Sequence, residues 1–235
     1  MALADDIQNL TKQALSALQE SHDYYTYSKR LWHLLPDVVM EGRKFTFRNL
    51  ATGTSINEQL LLHRAQPYVA NYLIPYTFQH FVSLFEDFFF DLLRCWLAAY
   101  PDSLSKKQVE MSAVLKASDK NAIILTVVEK ELNDLKYQRL DQWFKYLKEL
   151  TNLDFSMASE IQELAEIKAS RDILIHNNGI VNATYVSKAG PRARYKEEDE
   201  LEIPEPYHRA SWETVNKVVR NVSAAFIGKL RKSPS

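Results

Sequence analysis

The chain has 235 residues, 46% hydrophobic and 25% charged, a composition that suits an ordinary globular protein with one substantial core. Its 29 basic and 30 acidic residues leave a net charge of −1, so there is no global basic field to draw in nucleic acid, and any RNA contact must be local. Five glycines are few for a sheet-rich fold, no apolar stretch approaches the ~20 residues of a membrane span, and a single cysteine excludes an internal disulfide.

Residues 3 to 35 read as one helix, with Leu10, Leu15, Leu18, Tyr25, Leu31, Trp32 and Leu35 as its apolar positions and Pro36 expected to stop it. Tyr24, Tyr25 and Tyr27 read as packing against a bundle, with base stacking as the alternative. Residues 37 to 57 are irregular. Lys44 to Arg48 alternates like a short strand, and Ala51 to Ser55 looks like a loop. Helical character returns near Glu58, is disturbed at Pro67 and Pro75, and becomes strong from Tyr76 to Tyr100. There Phe78, Phe81, Val82, Phe85, Phe88, Phe89, Leu92, Trp96 and Leu97 predict the central core helix. Glu86 interrupts that apolar row, either as the partner of a buried cation or as a helix-edge carboxylate reaching water. Cys95 lies in the same run and reads as a buried, inert thiol.

Ser103 to Ser118 is polar and predicts a short helix plus loop. Helices follow at 121–136 and from Leu140 to Leu150, the latter with a core-facing stripe of Trp143, Phe144 and Leu147. From Met157 an amphipathic helix runs to a break at Asn177-Asn178-Gly179, and a shorter helix starts near Ile180. Between Gly190 and Ala210, three prolines flank a basic run and an acidic one, which predicts a surface hairpin or mobile loop. Ser211 reads as the N-cap of a last helix carrying Trp212, Val215, Val218, Val219, Val222, Phe226 and Leu230. The expected fold is all-α. It is a single domain over 1–235, built as a bundle of long antiparallel helices with additional N- and C-terminal helices and a polar loop at about 190–210.

The helix after Met157 carries the chemistry. Leu164, Ile167 and Leu174 form one apolar row with Arg171 inside it; Ile161, Ala165, Ala169 and Asp172 form a second, ending at His176. A charge in such a row needs a partner. Asp172 and His176 stand four apart, so the carboxylate should favour and orient an imidazolium, and the negative end of the helix dipole acts in the same sense. Asn178-Gly179 reads as a left-handed cap. Arg171 and His176, five apart, differ by about 140° in direction, so converging on one atom calls for two such helices about a twofold axis. Elsewhere there is no HExxH, CxxC, P-loop, dinucleotide fingerprint or Gly-x-Ser-x-Gly elbow, so no metal and no cofactor is expected.

Arg171-Asp172-Ile173-Leu174-Ile175-His176 resembles the R-x4-6-H motif of the HEPN superfamily, and the run from His176 to Asn182 resembles that family's helix end. The segment SLFEDFFFDLLR is similar to an early HEPN helix, where an acidic residue at the place of Glu86 is common. The resemblance implies a helical bundle, commonly a homodimer, in which Arg and His of two protomers meet in a composite cleft. It also implies a metal-independent RNA endonuclease that uses the 2′-hydroxyl as nucleophile and leaves a 2′,3′-cyclic phosphate. On this chain His176 would move protons, Arg171 would stabilise the phosphorane, Asp172 or Asn177 would orient His176 or contact RNA, and Glu86 would hold Arg171. Lys188, Arg192 and Arg194 follow closely and read either as phosphate-binding cations or as a solvated charge run. Members often act as toxins or in phage defence, with an antitoxin or another regulatory protein as partner. In some toxins a Tyr two residues after the His is modified by the antitoxin; here that position is Asn178. The alternative function is a non-catalytic HEPN-like module that binds RNA, a nucleotide or a protein, its motif kept as a polar dimer-interface network. A helical bundle unrelated to HEPN, with Arg171 and His176 structural, is the third reading. The start, MALADDIQNL, lacks the regions of a signal peptide, and the expected location is the cytoplasm.

Overall fold

The computed structural model describes residues 2–104 and 108–232, and helices dominate it. Helix α1 (Ala2–Met40) runs through Pro36 instead of stopping there. A proline removes one N–H and crowds the carbonyl four residues back, which weakens a helix that other contacts support without always ending it. Here α1 lies against α2 (Glu58–Tyr68), α3 (Ile74–Ala99) and α9 (Glu205–Lys232), and the chain leaves the helical path at Gly42, φ +78°. The expected strand is present as β1 (Thr46–Arg48), paired antiparallel with β2 (Ser55–Asn57).

Asn57 caps α2 by accepting from the Leu60 N–H at 3.0 Å. Between α2 and α3 the helix widens into a π turn, Val69–Leu73. It lies between the two prolines that the sequence marked as a disturbance, and the wider turn relieves the crowding ahead of Pro75. Helix α3 then continues as the centre of the molecule. Phe78, Phe81, Val82, Phe85, Phe88, Phe89, Leu92, Leu93 and Leu97 are all buried. Its two ends belong to two apolar clusters: the larger involves α1, α5 (Lys120–Lys136), α6 (Leu140–Thr151) and α9, the smaller Tyr25, Ile167, Ile173, Tyr185 and Leu201.

A short 3-10 turn (Pro101–Leu104) and α4 (Met111–Lys116) lead to α5, which Asp119 caps through the Ala122 N–H at 2.9 Å. Helix α7 (Ala158–His176) ends as expected, with Asn178 at φ +50° and Gly179 at φ +81°. The next helix begins later than Ile180. Asn182 caps α8 (Ala183–Ala189), while Ile180 bridges antiparallel to Glu200. The Val181 N–H donates to Asp199 O at 2.9 Å and the Leu201 N–H to Gly179 O at 2.8 Å. This clasp, with Leu201 and Ile203 buried, packs part of the segment expected as a surface hairpin or mobile loop into the smaller core. Helix α9 starts at Glu205, and Ser211 lies inside it, its hydroxyl donating to Tyr207 O. Pro206, lacking an N–H, suits the first turn of a helix and gives an earlier start than Ser211. No helix among the described residues is long and apolar enough to cross a membrane.

Candidate functional site

Five helices enclose a cleft of about 540 Å³: α3 supplies Glu86, Asp87, Phe90, Asp91 and Arg94; α7 supplies Lys168, Arg171, Asp172 and His176; α8 supplies Lys188; and residues of α5 and α6 complete it. Five Lys and Arg side chains and four carboxylates line it, besides His176. The formal balance there is +1, so cations and carboxylates interleave in the cleft.

Arg171 is 9% exposed. Its guanidinium is held by Glu86 Oε2 and by Asp172 Oδ1, the latter at 3.3 Å. The pairing of Glu86 with Arg171 therefore holds, and the reason is the one the apolar rows imposed: each charge sits on a face that packs against the other helix. Lys168 joins them, with Nζ 3.1 Å from Glu86 Oε1 and 3.2 Å from Asp172 Oδ2, and Lys188 reaches Asp172 Oδ2 at 3.4 Å. Three cations thus share two carboxylates. The Arg171 Nε is buried and has no hydrogen-bond partner among the described residues. A guanidinium in this state has a donor to offer an incoming acceptor.

His176 stands at the end of α7, exposed, and borders the same cleft. The sequence placed Asp172 against it, yet the Asp172 carboxylate engages Lys168, Arg171 and Lys188. Lys168 is also four residues from Asp172, on its other side, and its formal charge makes it the stronger competitor. Asn177 borders the cleft too, but its side-chain N–H donates to Ile180 O, closing the turn after α7 instead of orienting His176. No three His, Cys, Asp or Glu side chains among the described residues group as metal ligands.

Neither family models, curated proteins nor solved structures give a match to this chain.

Of the three cations expected to hold RNA phosphates, only Lys188 borders the cleft. Arg192 reaches Ser159 Oγ at 2.9 Å and lies 3.7 Å from Glu163, on the exposed side of α7. Arg194 does not act as a free phosphate ligand. Its Nε donates to the buried Glu166 at 3.0 Å, and its guanidinium carbon lies 3.4 Å over the Tyr207 ring. Glu166 also accepts from Ser170, from Tyr185 at 2.8 Å and from Tyr207 at 2.5 Å. Burial and the adjacent Glu166 carboxylate push the Tyr185 hydroxyl up to about 12, so it stays a donor.

Sequence reasoning missed Lys168, although its spacing of four from Asp172 is a readable signal. It took Trp143 for core. Trp143 is indeed 1% exposed, yet it borders the cleft, Lys168 Nζ lies 5.4 Å from its ring centre, and its indole N–H has no partner among the described residues. Arg94, tied to Asp91 and to Glu129 at 2.7 Å, and the exposed Tyr137 were also missed; only the fold brings them to α7.

Proposed function

We propose that this chain is a metal-independent RNA endonuclease of HEPN type, acting as a homodimer. The observation that carries the reading is the division of roles on α7: Arg171 is anchored and buried with an unused N–H, and His176 is exposed on the same cleft. In the reaction the ribose 2′-oxygen attacks phosphorus and gives its proton to a neutral imidazole. The P–O2′ bond forms, the P–O5′ bond breaks, and an imidazolium protonates the leaving 5′-oxygen, leaving a 2′,3′-cyclic phosphate. Arg171 and Lys188 offset the charge that builds on the phosphorane. Two imidazoles, one as base and one as acid, are what a twofold pairing of α7 ends supplies. The exposed Ile175 and Ile180 beside His176 are suitable apolar material for that contact. A role in phage defence or as a toxin, with an antitoxin or regulatory partner, fits this activity.

One observation favours a non-catalytic module that binds RNA, a nucleotide or a protein: Glu86 and Asp172 already neutralise Arg171. Incubation of the parent and His176→Ala with total RNA in excess chelator separates the two readings. Cleavage by the parent alone, with cyclic phosphate ends, is expected. An inert parent at several pH values, or a His176→Ala variant that cleaves like the parent, refutes the endonuclease reading. His176→Ala is the cleaner probe because His176 is exposed, whereas Arg171→Ala also strips Glu86 of a partner.

A further inference from the structure

Helix α3 acts as a ruler along the cleft. Glu86, at one point, holds Arg171; Phe90, four residues or about 6 Å further along the axis, marks a second group of side chains. There the rings of Phe90 and Trp143 meet edge to face at 4.7 Å, and Lys136 Nζ lies 5.1 Å from the centre of the Phe90 ring. Tyr137, the next residue, closes α5 and is 87% exposed, so its ring is free to stack. Arg94 lies one turn further along α3. All five residues border the same cleft as Arg171 and His176.

Two features of this end point to a ligand. The Trp143 indole N–H is a donor-only group, buried beside the cleft with no acceptor among the described residues, a state that costs free energy unless something supplies one. The cleft, at about 540 Å³, falls in the ~300–1,000 Å³ range of small-molecule sites and has room beyond the volume of a phosphate group. Aromatic rings interleaved with cations are the chemistry that takes an unstacked base together with its phosphate.

We propose that the Phe90–Tyr137–Trp143 end of the cleft is a nucleobase subsite for the nucleotide next to the scissile phosphate, with Lys136 holding that nucleotide's own phosphate. The proposal rests on the endonuclease reading for the word scissile, but the subsite is a binding site in its own right. Stacking on Tyr137 tolerates any base, since every base has a π-face, and it requires the base to be out of a duplex.

The test uses strands that cannot be cut. Short fluorescein-labelled 2′-O-methyl oligonucleotides lack the attacking hydroxyl, and an abasic 2′-O-methyl strand of equal length carries the same backbone charge. Fluorescence anisotropy of the full chain should show tighter binding of the base-bearing strands. Tyr137→Ala should weaken that binding about tenfold and leave the abasic strand unaffected, the effect of losing one base stack. Trp143→Phe, which keeps a ring and removes the N–H, should weaken the same binding without abolishing it. Equal binding of both strands by the parent, or an equal effect of Tyr137→Ala on both, overturns the subsite. Base-dependent binding by a chain that cuts no RNA would overturn the endonuclease reading alone, and cutting with base-independent binding would overturn the subsite alone.

Discussion

Replacing Glu86 by Gln keeps the shape of the side chain and removes one negative charge from the middle of the ion-pair network. Unit charges 3.1 Å apart, the separation of Lys168 Nζ and Glu86 Oε1, interact by about 5 kcal/mol at an effective dielectric of ~20. The net loss is smaller, because Asp172 still holds Lys168 at 3.2 Å and Arg171 at 3.3 Å, and Glu86 itself is partly in water. A destabilisation of about 1–3 kcal/mol is expected, below the cost of stranding a fully buried charge. Urea unfolding of the parent, Glu86→Gln, Arg171→Met and the double variant measures it. The double variant should be more stable than the two single losses add up to, since Arg171→Met removes the cation that Glu86→Gln leaves short of a partner. A Glu86→Gln protein within about 0.5 kcal/mol of the parent, or strictly additive losses, would refute the network as described. Under the proposed endonuclease reading, cleavage by Glu86→Gln should fall because the guanidinium loses its anchor, while RNA binding holds or tightens because the cleft gains net positive charge.

Glu166→Ala should cost about 3–5 kcal/mol by leaving the Arg194 guanidinium short of its buried carboxylate, and should expose the 193–204 segment to proteolysis; equal stability and equal digestion would argue against the Glu166 cluster as the clamp. His208 is fully buried, with Nε2 2.8 Å from Thr77 Oγ1, and burial pushes it down to about 4. Its unfolded value is near 6.5, so the unfolded chain binds the proton first: the contribution is complete above that pH and is lost as pH falls towards 4, about 2 kcal/mol between pH 7 and pH 5. Denaturation across that range should show a shallower acid decline in His208→Gln than in the parent, and parallel declines would contradict the assignment. Lys188→Ala should weaken binding of single-stranded RNA and flatten its salt dependence, whereas Arg192→Ala, on the far side of α7, should do neither; matching effects would remove Lys188 from the cleft's anion contacts.

What could be read from the sequence was what local periodicity decides. The spacing of Phe78, Phe81, Phe85, Phe88 and Phe89 predicted a central helix, and α3 is that helix. A guanidinium inside an apolar row demanded an acid, and Glu86, inside another apolar row, offered one of two readings, a partner for that cation or a helix-edge carboxylate; the fold selects the first. The reading failed where partners far apart in sequence compete. Arg194 lies in a run that looks solvated, but Glu166, 28 residues earlier, draws it inward against Tyr207. Spacing gave Asp172 to His176; Lys168, four residues away on the other side, claims it too, and Lys188 joins because α8 packs against α7. Ser211 has the right side chain for an N-cap, yet the proline-bracketed Glu205 gives an earlier start that packing against α1 and α3 extends.

Helix α7 buries polar and charged side chains among its apolar ones. Its buried set includes Glu166, Ser170 and Arg171 beside Leu164, Ile167, Ala169 and Ile173, so the hydrophobic contrast between its faces is weak. A weak contrast leaves the rotation of a helix about its axis poorly determined. Turning α7 by one residue, about 100°, would take Glu166 and Arg171 away from their partners, which lie on different elements: Arg194 and Tyr207 for the first, Glu86 for the second. Two buried ion pairs five residues apart on α7 therefore fix the rotation that the weak hydrophobic contrast leaves open. The helix end beyond them, where His176 stands, inherits that orientation without contributing to it. An exposed imidazole on a pinned arm can be substituted with little effect on the fold, so under the proposed endonuclease reading a loss of cleavage in His176→Ala at parental stability would report on chemistry, whereas a loss in Arg171→Ala would report on chemistry and architecture together.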